Sequence, residues 1–152
     1  MTETAVGRGF GVSAVSALGM PRRRAQIARI FEPESIAVIG ASERPGSLGT
    51  VVLRNLLDAG FPGDVYPVNP KYSSVQGVRC YARVGDIGRP VDLALIVAPA
   101  RVVPGVLREC GEAGIRAAVI LSGGFRETGA IGRALEDETV RVARAYGIRF
   151  IG

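Results

Sequence analysis

Residues 35–49 (SIAVIGASERPGSLG) hold the residue types best suited to chemistry in this chain. A short apolar run, Ile36 to Ile39, enters Gly40-Ala41-Ser42, and an apolar pattern of helical spacing opens near Ser47. A strand that passes through a small-residue turn into a helix start makes a cradle for phosphate. The first-turn N–H groups lack intrahelical acceptors, and the helix dipole adds partial positive charge there. Glycine lets the backbone approach an anion without a Cβ in the way. A plain strand-to-helix turn that binds nothing uses the same residues, because a lone glycine-rich turn is a weak signal. The expectation is a phosphate-bearing cofactor over Gly40 to Gly49.

What is missing narrows the chemistry further. The 152 residues contain no histidine. That excludes Ser-His-Asp hydrolysis, Cys-His proteolysis, His-ligated metals and a phosphohistidine relay within this chain. Cys80 and Cys110 have no C-x-x-C spacing, so they predict ordinary buried or half-buried thiols, with neither zinc site nor redox motif. No metal ligands and no catalytic residues are assigned. The net charge of +5 is almost all arginine, and Lys71 is the only lysine. A basic balance permits acidic ligands. Arg22, Arg23 and Arg24 have no aromatic platform or recognition helix beside them, which argues against nucleic acid. No apolar run approaches the roughly 20 residues of a bilayer span, and no signal-peptide pattern opens the chain. No membrane association and a cytoplasmic location are therefore expected.

The elements that must position these residues follow from periodicity. Hydrophobic residues make up 47% of the chain and charged residues 22%, enough for one ordinary core. Residues 1–30 predict a flexible extension with a short basic helix from Pro21, and residues 31–152 the folded domain. Ile36 to Ile39 is continuously apolar, as a strand buried on both faces should be. Leu48, Val51, Val52 and Leu56 then keep helical spacing up to Gly60. Asp64 to Pro70 predicts a second strand limited by its prolines, and Gly77 to Tyr81 a short third. Val84 to Ile87 predicts one helical turn. Val91 to Val97 is the clearest strand, and a helix from Val102 to Ala113 follows it. Ala117 to Leu121 predicts another buried strand, and Ile131, Leu135, Val140 and Ala143 a long helix. Ile148 to Ile151 predicts the last strand.

Strands alternating with helices at intervals of roughly 25–30 residues predict an α/β fold, a Rossmann-like, doubly wound parallel sheet in a single three-layer domain. Ligands sit beyond the carboxyl ends of such strands. The candidate rim segments are Gly40-Ala41-Ser42, Asn69-Pro70-Lys71, Ala98-Pro99-Ala100 and Ser122-Gly123-Gly124. A nicotinamide site expects G-x-G-x-x-G and an acid at the second strand's end. Here Ser42 replaces the middle glycine, and the second strand ends in Asn69-Pro70-Lys71. A lysine there suits an added ribose phosphate, either the 2′-phosphate of NADP or the 3′-phosphate of coenzyme A.

Several blocks together closely resemble the CoA-binding domain family. They are Ile36–Ser42 (IAVIGAS) with Pro45-Gly46 and Gly49, Val65–Lys71 (VYPVNPK), Val91–Pro99 (VDLALIVAP), Val119–Phe125 (VILSGGF) and Gly147–Gly152 (GIRFIG). The resemblance spans residues 31–152. It points to the amino-terminal domain of NDP-forming acyl-CoA synthetases, related to the succinyl-CoA synthetase alpha subunit and also fused to some protein acetyltransferases. It implies that Gly40, Ala41, Ser42, Pro45 and Gly49 hold the pyrophosphate; Arg44, by its place in the loop, is a candidate second phosphate partner, with a mobile exposed side chain as the alternative. It implies that Asn69, Pro70 and Lys71 hold the adenosine end, with Lys71 on the 3′-phosphate. Val97, Ala98 and Pro99 would line the pantetheine path, and Leu121, Ser122 and Gly123 would meet its sulfur-bearing end. The family's full enzymes add a phosphohistidine domain and an ATP-grasp part, which are the implied partners. A stand-alone CoA or nucleotide sensor and an NADP-binding domain are the rival expectations, and a homo-oligomer stays open. The stop at Gly152, where the family continues, favours a piece of a larger enzyme over a sensor.

Overall fold

The computed structural model describes residues 22–152. Of the extension expected over residues 1–30, residues 1–21 lie outside them. A first helix α1 (Arg22–Phe31) precedes strand β1 (Ser35–Ile39), helix α2 (Leu48–Asp58) and strand β2 (Asp64–Val68). A small hairpin, β3 (Ser74–Val75) with β4 (Val78–Arg79), follows. The second half runs β5 (Leu93–Ile96), α3 (Val103–Glu112), β6 (Ala117–Ile120), α4 (Ala130–Ala145) and β7 (Arg149–Ile151).

The five main strands form one parallel sheet in the order β2-β1-β5-β6-β7. Period-two alternation sends neighbouring side chains to opposite faces, and both faces are covered. Ala37, Ile39, Ala94, Ile96, Ala118 and Ile120 pack with Leu107 of α3 and Val142 of α4. Ile36, Val38, Leu93 and Ala117 pack with Leu53 of α2, and Ile30 of α1 lies against this second layer. The α/β, Rossmann-like, three-layer expectation therefore matches the architecture. The order reverses between β1 and β5, because β1 leads outward to β2 while β5 leads the other way to β6 and β7. That reversal is the topological switch point, where such sheets leave a crevice at their carboxyl ends.

One expected element differs. Residues 77–81 do not add a third strand to the sheet. Val78 and Arg79 turn back on Ser74 and Val75 instead, and Tyr81 makes only an isolated parallel bridge to Val68. The hairpin is held to the first turn of α2, where Gln76 Nε2 donates to the Thr50 carbonyl at 2.9 Å, and to the β1–α2 loop, where the Gln76 N–H donates to the Glu43 carboxylate. From there the chain rounds the free edge of β2. Val75 and Cys80 are buried with the α2 layer, whereas Val84 and Ile87 are buried with the α3 layer. The clear central strand is also shorter than its apolar run, Leu93–Ile96 rather than 91–97.

Candidate functional site

The β1–α2 turn is built from hydroxyls. Ser47 caps α2, its Oγ accepting from Thr50 N–H at 3.3 Å. Thr50, 3% exposed, places its Oγ1 2.7 Å from both the Ser42 and Arg44 carbonyls and 2.8 Å from Ser47 Oγ. The Arg44 N–H donates to Ser42 Oγ at 3.0 Å. These bonds fix residues 42–47 as a compact loop. The cap engages the amides of Thr50 and Val51. Those of Leu48 and Gly49 have no acceptor among the described residues, and both residues line the crevice.

The tightest contact in this turn involves two glycines. A Cβ at Gly49 would lie 2.0 Å from the Gly40 carbonyl oxygen, so only glycine lets α2 seat against the end of β1. Gly40 has φ +96°, and a Cβ there would lie 2.9 Å from the Val97 carbonyl oxygen at the end of β5. The protein's own packing at the switch point therefore demands Gly40, whether or not a ligand approaches it.

The second rim segment is tied to the first. Asn69 Nδ2 donates to the Ala41 carbonyl at 2.8 Å, and Asn69 Oδ1 accepts from Lys71 N–H at 2.9 Å. The Asn69 side chain thus braces two loops and shapes the turn that presents Lys71. Gly40, Ser42, Arg44, Gly49, Asn69, Pro70, Lys71, Val97, Ala98 and Pro99 all line one cleft of about 660 Å³ at the switch point. Ala41 is fully buried beneath it, and Pro45 stands exposed at the loop tip. Ser47, Leu48, Tyr72, Arg83, Val102 and Glu109 also line the cleft, though sequence patterning had not marked them as site residues.

Leu121, Ser122 and Gly123 stand outside that cleft, further along the rim. The Leu121 N–H donates to the Ile96 carbonyl at 2.8 Å, and the Ser122 hydroxyl donates to the Ala98 carbonyl. Ser122 also edges a separate cavity of about 250 Å³ with Phe125, Thr139 and Phe150. Beyond it, the Glu127 carboxylate accepts from the amides of Gly124 at 2.5 Å and Phe125 at 3.1 Å. Those amide bonds hold the Glu127 pKa below the ordinary glutamate value.

Both cysteines are free and buried, away from the cleft lining. Burial pushes the Cys110 thiol up to about 12, with the nearby Glu109 charge adding to the shift. Burial also raises Cys80, against two backbone contacts that lower it. Among the described residues no His, Cys, Asp and Glu cluster could hold a metal ion, and no helix is long and apolar enough to cross a membrane.

A parallel sheet with a helix N-terminus, a lysine and an arginine around its switch-point crevice defines a nucleotide-binding module of the Rossmann type. The family follows from residues 34–152, which match the CoA binding domain, and the chain belongs to that family. It is 46% identical over 124 residues to acetate–CoA ligase [ADP-forming] I of Archaeoglobus fulgidus, spanning 82% of this chain and 18% of that protein. It is 42% identical over 127 residues to the alpha subunit of acetate–CoA ligase [ADP-forming] I of Pyrococcus furiosus, spanning 81% of this chain and 28% of that subunit. Among solved structures, the apo dinucleotide-forming acetyl-coenzyme A synthetase 1 of Ca. Korarchaeum cryptofilum superposes with a TM-score of 0.79 at 45% identity. That match covers 83% of this chain and 27% of the synthetase chain. The chain thus spans less than a third of the length of each of these relatives.

Proposed function

We propose that this domain binds coenzyme A or an acyl-CoA at the switch-point cleft, and that it supplies the CoA site of an ADP-forming acyl-CoA synthetase. The observation that carries the proposal is the pairing of free backbone donors with unpaired cations in one crevice. The α2 N-terminus offers the Leu48 and Gly49 amides to the pyrophosphate, with Arg44 beside them. Lys71, with no ion-pair partner among the described residues, faces the ribose 3′-phosphate. Val97, Ala98 and Pro99 give the pantetheine arm a largely apolar wall towards the Ser122 end of the rim. The chain lacks histidine. A phosphoryl relay and nucleotide chemistry would therefore belong to other domains or subunits of the same enzyme, and the residues here bind and orient CoA.

Calorimetric titration tests the ligand. Binding of CoA in the micromolar range with none for NADP is the expected result, and the reverse preference would overturn the proposal. Lys71→Ala should weaken CoA about 10- to 30-fold, the size of one charge-assisted hydrogen bond, and dephospho-CoA less than about threefold. An equal loss for both ligands would remove Lys71 from the 3′-phosphate.

A further inference from the structure

Arg83 is a third cation of this cleft, and no motif in the sequence marks it. It precedes the short 3-10 turn Val84–Ile87, in the segment that rounds the free edge of β2. Two backbone bonds set that segment against the end of β2. The Tyr81 N–H donates to the Pro67 carbonyl at 2.9 Å, and the Asn69 N–H donates to the Tyr81 carbonyl at 2.9 Å. The next residues therefore emerge beside Asn69, Pro70 and Lys71.

The Arg83 backbone is anchored on both sides. Its N–H donates to the Asp86 carboxylate at 3.0 Å, and its carbonyl accepts from Asp86 N–H at 3.1 Å. Val84 and Ile87, both buried, pin the turn to the core. The guanidinium has no ion pair, hydrogen bond or ring contact among the described residues. Glu109 is the one carboxylate lining the cleft, and it forms no ion pair with Arg83. Arg44, Lys71 and Arg83 against Glu109 leave the crevice electropositive, more than a single lysine would.

We infer that Arg83 and Lys71 together clamp the ribose phosphate, and that Arg83 makes the site selective for a 3′-phosphorylated adenine nucleotide. The inference rests on the CoA proposal above. Position separates the two phosphate groups. The amides of α2 follow β1, whereas Lys71 follows β2 and Arg83 follows the segment on β2's outer side. An arginine presents a planar fork that meets two phosphate oxygens at once, and a lysine adds a point charge from the other side. Because the backbone beneath Arg83 is already fixed, binding has only its side chain left to order.

The test uses the intact protein and four titrants: CoA, dephospho-CoA, adenosine 3′,5′-bisphosphate and 5′-AMP. Arg83→Ala should weaken CoA and the bisphosphate about tenfold, and dephospho-CoA and 5′-AMP less than about threefold. Arg83→Lys should recover part of the loss, because it keeps the charge without the fork. In the Lys71→Ala, Arg83→Ala double variant the preference for CoA over dephospho-CoA should vanish. Equal losses across all four titrants, or no loss, would overturn the role of Arg83 and leave CoA binding intact. No CoA binding by the unaltered protein would overturn the CoA proposal itself, and this inference with it. Arg83 is exposed, so thermal unfolding of each variant should match the unaltered protein.

Discussion

Two loops on the same sheet rim spend their polar groups differently. After β1, the hydroxyls of Ser42, Ser47 and Thr50 satisfy one another and the loop carbonyls, and the Leu48 and Gly49 amides have no acceptor among the described residues. After β6, the amides of Gly124 and Phe125 are filled by Glu127, and the Ser122 hydroxyl is used on Ala98. Both are small-residue turns following buried strands. What separates the unfilled turn from the self-filled nest is a carboxylate two or three residues downstream. The first loop is thus held by its own hydroxyls with first-turn amides left unfilled, and the second is filled by the protein's own carboxylate.

The largest expected effect comes from adding one methyl group to each loop. Gly49→Ala drives a Cβ to within 2.0 Å of the Gly40 carbonyl oxygen, so α2 must lift off β1. The expected cost is about 3 kcal/mol of stability together with loss of CoA binding. Gly123→Ala meets only Glu127 Oε1 at 3.7 Å, an ordinary contact. It should change stability by less than about 0.5 kcal/mol. Urea denaturation of the two variants checks the contrast. Equal midpoints would mean that the first turn can relax as freely as the second.

A smaller effect comes from Thr50→Val, which keeps the shape and removes the hydroxyl. The Ser42 and Arg44 carbonyls and the Ser47 cap all lose a partner in a nearly buried position. A loss of about 2 kcal/mol is expected, with weaker CoA binding as the loop loosens. Unchanged stability and affinity would show that the hydroxyl cluster is not what holds the loop.

How much of this was visible beforehand depends on pattern length. The apolar run Ile36–Ile39, the helix start near Ser47 and the helical spacing after it are long enough to specify strand, turn and helix, and the structure starts α2 there with Ser47 as its cap. The hairpin strands are two residues each, too short to carry a period, and residues 77–81 therefore looked like sheet. Lys71 was legible as a cleft residue because it sits in the turn just beyond β2. Arg83 was not, because its place depends on the chain rounding the edge of β2, a tertiary path that local patterning does not encode. Asn69 was legible as a rim residue, but its bracing bond to Ala41 joins positions 28 apart in sequence. Ser122 likewise turns its hydroxyl to Ala98, a partner set by neighbouring strands rather than by its own loop.

The self-filled nest makes a pH prediction. Glu127 has a lowered pKa because the Gly124 and Phe125 amides stabilise its charged form. Its contribution to holding the loop is therefore complete above the ordinary glutamate value and is lost as pH falls through the lower folded value. The amide proton shifts of Gly124 and Phe125 should titrate together with a midpoint below that of a free glutamate. Glu127→Ala should abolish that titration and leave the amides around Gly49 unmoved. A midpoint at the ordinary value would break the contrast between the loops.

The smallest expected effect is an absence of reaction, and it concerns what either loop can offer to a thioester. A thiol raised to about 12 carries about one part in ten thousand of thiolate at pH 8, and Cys110 is fully buried as well. Cys80 is 7% exposed, with its pKa also raised by burial. Neither cysteine lines the switch-point cleft. A thiol-reactive dye at pH 8 should therefore label the folded protein only as fast as it opens, and both cysteines promptly in denaturant. In a complex with CoA, fast labelling in the folded state should come from the ligand's thiol alone. Rapid labelling of the ligand-free folded protein would show that one of these cysteines is within reach of solvent, and would make the thiol chemistry of the rim partly the protein's own.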